Sequence, residues 1–174
     1  MRTPLRYELA LNGAWLFPLD HAPSEPAGEL AVGVRWSRRL GLVLRAGVAK
    51  PWRSSDSSGD SVASIDVRRI PIALLLAIDA HLRRGRIRVG VGPLLDVWLV
   101  TSRGVSEPHL TRLAQPALEA RIAYRYDVKR AFFEAGVALD VALLRQELTV
   151  TGVGRLSHTP VADAAPFVGL GVTL

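Results

Sequence analysis

The sequence predicts an all-β fold: an eight-stranded antiparallel up-and-down transmembrane β-barrel with a polar, charged and packed interior, made as a single domain over residues 1–174. Three observations lead there. Eight segments alternate apolar with small or charged residues at period two, which is the period of a strand and not of a helix. The connections run long, short, long, short, long, short, long, so a meander closed on itself gathers the short turns at one end and the long loops at the other. The faces opposite the Leu, Val and Ile faces hold glycine, alanine, arginine and carboxylates, not the lysine, threonine and serine of a water-facing surface.

In chain order, residues 5–17 set Leu5, Tyr7, Leu9, Leu11, Gly13, Trp15 and Phe17 against Arg6, Glu8, Ala10, Asn12 and Ala14. The proline-rich PLDHAPSEPAG then reads as a loop. Residues 29–36 and 40–49 alternate in the same way about a tight turn at Ser37, Arg38 and Arg39, and place Glu29, Arg35 and Arg45 on the polar face. The stretch PWRSSDSSGDS is of low complexity and reads as a mobile surface loop, with Trp52 and Arg53 as candidate binding residues. Residues 62–80 are apolar enough for a buried helix, but Pro71 and the isoleucines favour a strand, with a bulge or the rim expected at Pro71. Its polar face holds Arg69 and Asp79.

After the turn HLRRG, residues 86–101 carry Arg86, Arg88 and Asp96 on the polar face, and residues 110–126 carry Glu119, Arg121 and Arg125. The longest alternation, 130–150, sets Phe133, Val137, Leu139, Val141 and Leu143 against Glu134, Gly136, Ala138 and Asp140. A loop over 151–164 precedes a last strand at 165–174.

Two architectures fit eight alternating strands: a soluble cup with the apolar face inward, as in a lipocalin-like carrier, and a membrane barrel with that face outward. The polar faces favour the second. A lumen of eight strands has little room and needs small residues. It holds arginines and carboxylates when these pair, and arginine's rigid fork suits a packed network better than lysine, of which the chain has two, Lys50 and Lys129. The expected lumen network is Glu8, Arg35, Arg45, Arg69, Asp79, Arg86, Arg88, Asp96, Glu119, Arg121, Arg125, Glu134 and Asp140, with Arg121 or Arg125 as partner of Glu134 and arginines from adjacent strands facing Asp140. Tyr7, Trp36, Tyr124, Tyr126 and Phe133 near the short-turn end, with Trp15 and Phe17 near the long-loop end, are the expected interfacial girdles.

In this pattern, over Leu5 to Leu174, the chain resembles the small eight-stranded outer-membrane β-barrels of Gram-negative bacteria, such as the membrane domain of outer membrane protein A. The resemblance implies a location in the cell outer membrane, membrane lipid as neighbour, and the barrel-insertion machinery as partner. That family commonly ends in an aromatic residue, where this chain has Leu174. Residues 1–17 do not read as a signal peptide, because Glu8 and Asn12 interrupt the apolar run, so export calls for a presequence or domain outside this chain.

The function classes narrow accordingly. The net charge of +6 first suggests nucleic acid, but most arginines sit singly in alternating segments, so no nucleic-acid partner is expected. No cysteine is present, which removes disulfide and thiolate chemistry. No cofactor or metal is expected, and the chain is expected to be monomeric. The expected role is a surface protein serving as structural anchor or binding through its loops, its lumen plugged with the help of Leu94, Trp98 and Phe167. The alternatives are a small pore, or a lipid-modifying enzyme using rim residues such as His21, His109, His158, Ser106, Ser157, Glu107 and Asp163, with His81 at the other end. No nucleophile motif or metal-spaced histidine pair supports catalysis, so no enzyme is expected.

Overall fold

The computed structural model describes residues 5–20, 24–56, 63–103, 110–150 and 154–174. Its strands are β1 (Arg6–Pro18), β2 (Glu25–Arg35), β3 (Leu40–Ala49), β4 (Trp52–Asp56), β5 (Ala63–Leu82), β6 (Gly85–Arg103), β7 (Leu110–Val128), β8 (Ala131–Ala142), β9 (Glu147–Val150), β10 (Gly154–His158) and β11 (Ala162–Thr173). Eight close the barrel in the order β3-β2-β1-β11-β8-β7-β6-β5, with β3 pairing β5 to complete the ring. Every pairing is antiparallel. The terminal strands meet at the short-turn end, where Leu174 N donates to Tyr7 O at 2.9 Å and Thr173 N to Arg130 O at 2.7 Å.

Exposure alternates residue by residue along the strands, but with hydrophobicity inverted. Leu9, Leu11, Leu74, Val91, Ile122, Val137 and Leu170 face out, 41–61 % exposed. Glu8, Arg45, Arg69, Asp96, Glu119 and Arg125 face in, none more than 4 % exposed. Water gives no reason for that inversion, since burying an unpaired charge costs several kcal/mol and exposing a leucine gains nothing. A hydrocarbon exterior does. From Tyr7 to Phe17, both outward, ten steps of about 3.3 Å along a strand tilted by roughly 40° rise about 25 Å, the height of a lipid-facing apolar band.

The structure departs from the sequence reading at the long-loop end. The alternation at 130–150 is broken: β8 stops at Ala142. Its last rungs are Ala142 N to Val161 O at 2.8 Å and Leu143 N to Pro116 O at 2.9 Å, after which the chain bends through Leu143 and Leu144 and forms the β9–β10 hairpin. The low-complexity stretch after β3 is no loop at its start, because β4 pairs with β5 from Trp52↔Val67 to Asp56↔Ala63. The strand expected from Glu29 begins at Glu25, with Pro26 opposite Trp15. Pro71 makes no bulge against β6, where Pro71↔Asp96 lies in an unbroken register. On its other side the β3 ladder ends at Ala46↔Ile72 and resumes as Trp52↔Val67, five residues against four. The missing Pro71 N–H and the extra residue thus coincide on one edge.

Strands β5, β6 and β7 have 20, 19 and 19 residues, whereas β1, β2, β3, β8 and β11 have 10–13. At about 3.3 Å per residue this leaves a panel standing roughly 20 Å beyond the shorter staves on one side. Ile65, Val67, Trp98 and Val100 pack on its inner face with Trp52 and Leu113 against them. Gln115 ties this panel to the segment entering β11. Its amide nitrogen donates to Leu144 O (3.0 Å), Thr159 Oγ1 (2.9 Å) and Pro160 O (3.2 Å), while its oxygen accepts from Trp98 Nε1 at 3.1 Å.

Candidate functional site

The lumen is the feature most of the chemistry-bearing residues share, and it is filled in three tiers. At the short-turn end Glu8 of β1 is ringed by four guanidiniums: Arg88 and Arg125 at 2.8 Å, Arg86 at 3.3 Å and Arg35 at 3.5 Å. Asp79 of β5 takes Arg88 in a bidentate grip (2.8 and 3.1 Å), together with Arg35 at 3.1 Å and Arg86 at 3.3 Å. Asp127 at the mouth meets Arg86 and Arg125 at 3.0 and 3.2 Å. The tier answers a conflict built into the ladder. Arg86 and Arg125 stand directly opposite each other, an arrangement that repels, and Glu8 and Asp127 supply the counter-charge. Arg125 also lies 3.1 Å over the Phe132 ring, a cation–π contact.

In the middle tier Arg45 Nη1 is 2.6 Å from Glu29 and its Nη2 contacts Glu119. Arg121 meets Glu29 at 3.0 Å and lies 3.4 Å over Phe167. With its amide oxygen turned to Arg121 Nη2 (3.0 Å), Asn12 donates to Glu134 Oε1 at 3.1 Å. In the upper tier Arg69 alone faces several carboxylates: Asp96 at 2.5 Å, Asp163 at 2.6 Å and Asp140 at 3.9 Å. Its guanidinium is 5.2 Å from the Trp98 ring. Asp140 stands opposite Glu119 on one side and Asp163 on the other, three carboxylates along one rung.

Each tier contains at least one pair between strands half-way round the ring from each other: Glu8 (β1) with Arg88 (β6), Glu29 (β2) with Arg121 (β7), Arg69 (β5) with Asp163 (β11). Between the lower and middle tiers lies a cavity of about 40 Å³ lined by Ala10, Ala31, Gly33, Gly90 and Ala123 among the charges, room for a few waters at roughly 10–15 Å³ each. Leu94, Trp98 and Phe167 are all buried.

The side chains of the thirteen residues expected in the lumen are inside the barrel; Arg88 and Arg121 are the least covered, at 13 % and 11 % exposed. Tyr7, Trp15, Phe17, Trp36, Tyr124, Tyr126 and Phe133 point outward. Two expectations about pairing fail. Glu134 stands across the ladder from Arg125, yet Arg125 reaches over the lumen to Glu8 and Arg121 to Glu29. The arginine nearest Asp140 is likewise Arg69, three strands away and not on a neighbour.

Three residues stand elsewhere than the sequence pattern places them. Asp163, expected in a loop as a member of a rim triad, is an inward residue of β11 held by Arg69. Glu25, expected in a loop, is a buried residue of β2. Trp52 is half-buried in the panel's apolar cluster, and exposed Arg53 on the same strand bonds Asp66 at 2.7 Å. His81 is exposed on β5 at the short-turn end, and His158 Nε2 lies 3.4 Å from Asp20. His21, Ser106, Glu107 and His109, and the side chain of Ser157, lie outside the described residues. Among the described residues no group of three His, Asp or Glu is placed to hold a metal ion.

A closed ring of eight tilted strands, apolar outside and ion-paired inside, has solved counterparts. The fold is that of the outer-membrane β-barrels. Outer membrane protein OprG from Pseudomonas aeruginosa superposes with a TM-score of 0.69 at 15 % identity, over 97 % of this chain and 95 % of that one. A major outer membrane protein from Thermus thermophilus gives 0.67 at 11 % identity over 99 % and 100 %. Neisserial surface protein A gives 0.60 at 10 % identity over 99 % and 98 %. By sequence the chain matches no family model and no curated protein.

Proposed function

We propose that the protein is a monomeric outer-membrane barrel of the surface-protein type, whose lumen is a braced plug and whose work is done by what the long-loop end displays. The observation that carries this reading is the set of ion pairs joining opposed strands at three heights. Side chains that meet across the axis at three heights, with a cavity of only about 40 Å³ between the lower two tiers, support a lumen without a continuous water column. The buried network of thirteen residues then serves structure, as the packed interior of the anchor. Display at the long-loop end rests on the panel of β4–β7 and the β9–β10 hairpin, rigid supports of the sort on which binding loops sit. Among the similar structures is Ail, the attachment invasion locus protein of Yersinia pestis, which matches at a TM-score of 0.58 and 7 % identity and was also solved with the heparin analogue sucrose octasulfate. That likeness supports a surface display role for this chain and leaves its ligand open.

Planar-bilayer recording tests the plug. The purified barrel, refolded from urea into lipid and migrating as a heat-modifiable band, is expected to give no unitary conductance. Regular single-channel steps abolished by boiling the protein before insertion would replace the plug with a pore. Folding in plain buffer without detergent or lipid would overturn the membrane reading itself.

A further inference from the structure

The chain's basic character is not spread over the molecule. Each of the three short turns carries a pair of cations: Arg38–Arg39 between β2 and β3, Arg83–Arg84 between β5 and β6, Lys129–Arg130 between β7 and β8. All six side chains are exposed, as is Arg6 at the start of β1 beside them. Together with the four lumen arginines of the lower tier, the described residues give this end eleven side-chain cations against three side-chain carboxylates, Glu8, Asp79 and Asp127. That is +8, more than the net +6 of the whole chain. The three carboxylates are already engaged by lumen arginines, so among the described side chains the turn cations have no counter-ion of their own.

The turns are also fixed in place. Arg39 O accepts from Asp79 N at 2.7 Å, Arg84 O from Tyr124 Oη at 3.2 Å, and Arg130 O from Thr173 N at 2.7 Å. Backbone carbonyls make these ties, which leaves the cationic side chains free. Lys129 holds the last turn with a φ of 57°. Directly above the turns, on the outer wall, stand Tyr7, Trp36, Tyr124 and Tyr126, each 43–49 % exposed. Such aromatics sit at headgroup level. A ring of fixed cations therefore lies at the phosphate level of one leaflet, and in barrels of this fold the short turns face the periplasm.

We propose that the short-turn rim is a collar that binds anionic phospholipid headgroups of the leaflet it stands in. The inference rests on the membrane-spanning reading above. The ligand is argued from charge complementarity and from continuity with the apolar wall: a phosphodiester lipid whose acyl chains lie along Tyr7, Tyr124 or Tyr126 brings its phosphate to the level of the turn arginines. Arginine's planar fork takes two phosphate oxygens at once, which favours it over lysine at such a site, and five of the six turn cations are arginine.

Trp36 at the collar and Trp15 at the opposite girdle provide paired reporters. The intact barrel is reconstituted in phosphatidylcholine vesicles with one-fifth phosphatidylglycerol, and either the anionic lipid or an equal fraction of the neutral lipid is brominated high on the acyl chain. Because Trp52 and Trp98 also emit, each component is taken as the difference between wild type and the Trp36→Phe or Trp15→Phe variant. The Trp36 component is expected to be quenched at least threefold more by brominated phosphatidylglycerol than by brominated phosphatidylcholine, and the Trp15 component equally by both. The preference should vanish near 1 M salt, where the screening length is about 3 Å. It should vanish too when the six turn cations are replaced by glutamine. Equal quenching of Trp36 by the two lipids at low salt, or the same preference at Trp15, overturns the collar. If the six-fold variant does not fold, the wild-type comparison and its salt dependence still decide. Heat-modifiable migration in the same samples reports separately on whether the barrel is inserted.

Discussion

Replacing Arg69 by methionine removes the one cation that the described residues place in the upper tier and keeps most of its stem. Arg69 is 2 % exposed and touches Asp96 at 2.5 Å and Asp163 at 2.6 Å, with Asp140 3.9 Å away. Breaking a buried pair from one side costs about 3–5 kcal/mol, because the surviving charge stays desolvated. Two pairs share the guanidinium, but the carboxylates it leaves can recruit water from the lumen, so the single-pair range applies. With a urea slope of about 2 kcal/mol per molar, the unfolding midpoint should fall by about 2 M. The assay is urea unfolding in lipid vesicles, followed by tryptophan emission, to which Trp98 beside Arg69 contributes. Adding Asp96→Asn and Asp163→Asn to Arg69→Met should restore more than half of the loss, because the charges left stranded are then gone. A midpoint within about 0.25 M of wild type, about 0.5 kcal/mol at that slope, or no rescue by the amides, would refute the reasoning.

Other perturbations probe other parts of the barrel. Glu8→Gln deprives four guanidiniums of their shared carboxylate and should cost about 3–5 kcal/mol, with part of the loss recovered at high salt in the same unfolding assay. Val137→Arg puts a charge half-way up the outer face of β8 and should cost about 2–4 kcal/mol in vesicles; a neutral outcome would place that face out of the hydrocarbon. Gly136→Ala sets a Cβ against the Ile122 carbonyl oxygen, and 2.8 Å from Ala123 Cα and Phe167 Cζ, an overpacking of about 3 kcal/mol or more, readable as a lower midpoint with unchanged slope. Gln115→Leu frees Trp98 and the 144–160 segment from each other. It should cost about 1–3 kcal/mol and speed hydrogen exchange in that segment, while the Glu134–Asp140 stretch stays protected.

Much of the barrel could be read from the chain because period two encodes one binary choice, and a one-residue slip would turn every side chain to the wrong face. Strand β3 begins and ends where its alternation does, and the three basic turns fall where the pattern skips. The period does not say how far a strand continues past the membrane. Leu143 continues the alternation of Val141, yet the ladder ends at Ala142 because the partner strand has passed on to the panel. Polar Trp52–Asp56 carries no alternation of hydrophobicity, and only the neighbouring β5 makes it a strand. Alternation is also blind to direction within the lumen. It turned Glu134 inward correctly, but an arginine side chain is long enough to cross eight strands' worth of lumen, so sequence neighbours were poor guides to partners. Glu29 lay on the same face as the named residues and proved to bridge Arg45 and Arg121.

The pairs that cross the axis also constrain how the chain can assemble. Glu8, on the first strand, finds Arg88 and Arg125 on β6 and β7, and Arg69 waits for Asp163 on the final strand. A half-built sheet holding β1 to β7 would hold Arg69 with neither Asp140 nor Asp163, and Glu8 at its open edge. Partly wound intermediates therefore hold these charges with only some of their partners, Arg69 with Asp96 and Glu8 with Arg35, and each is disfavoured relative to the completed ring. Like the spokes of a wheel, which bear load only once the rim is joined, these contacts reward closure and nothing short of it. Entry into the bilayer should then be an all-or-none event, with the seam between the first and last strands setting its moment.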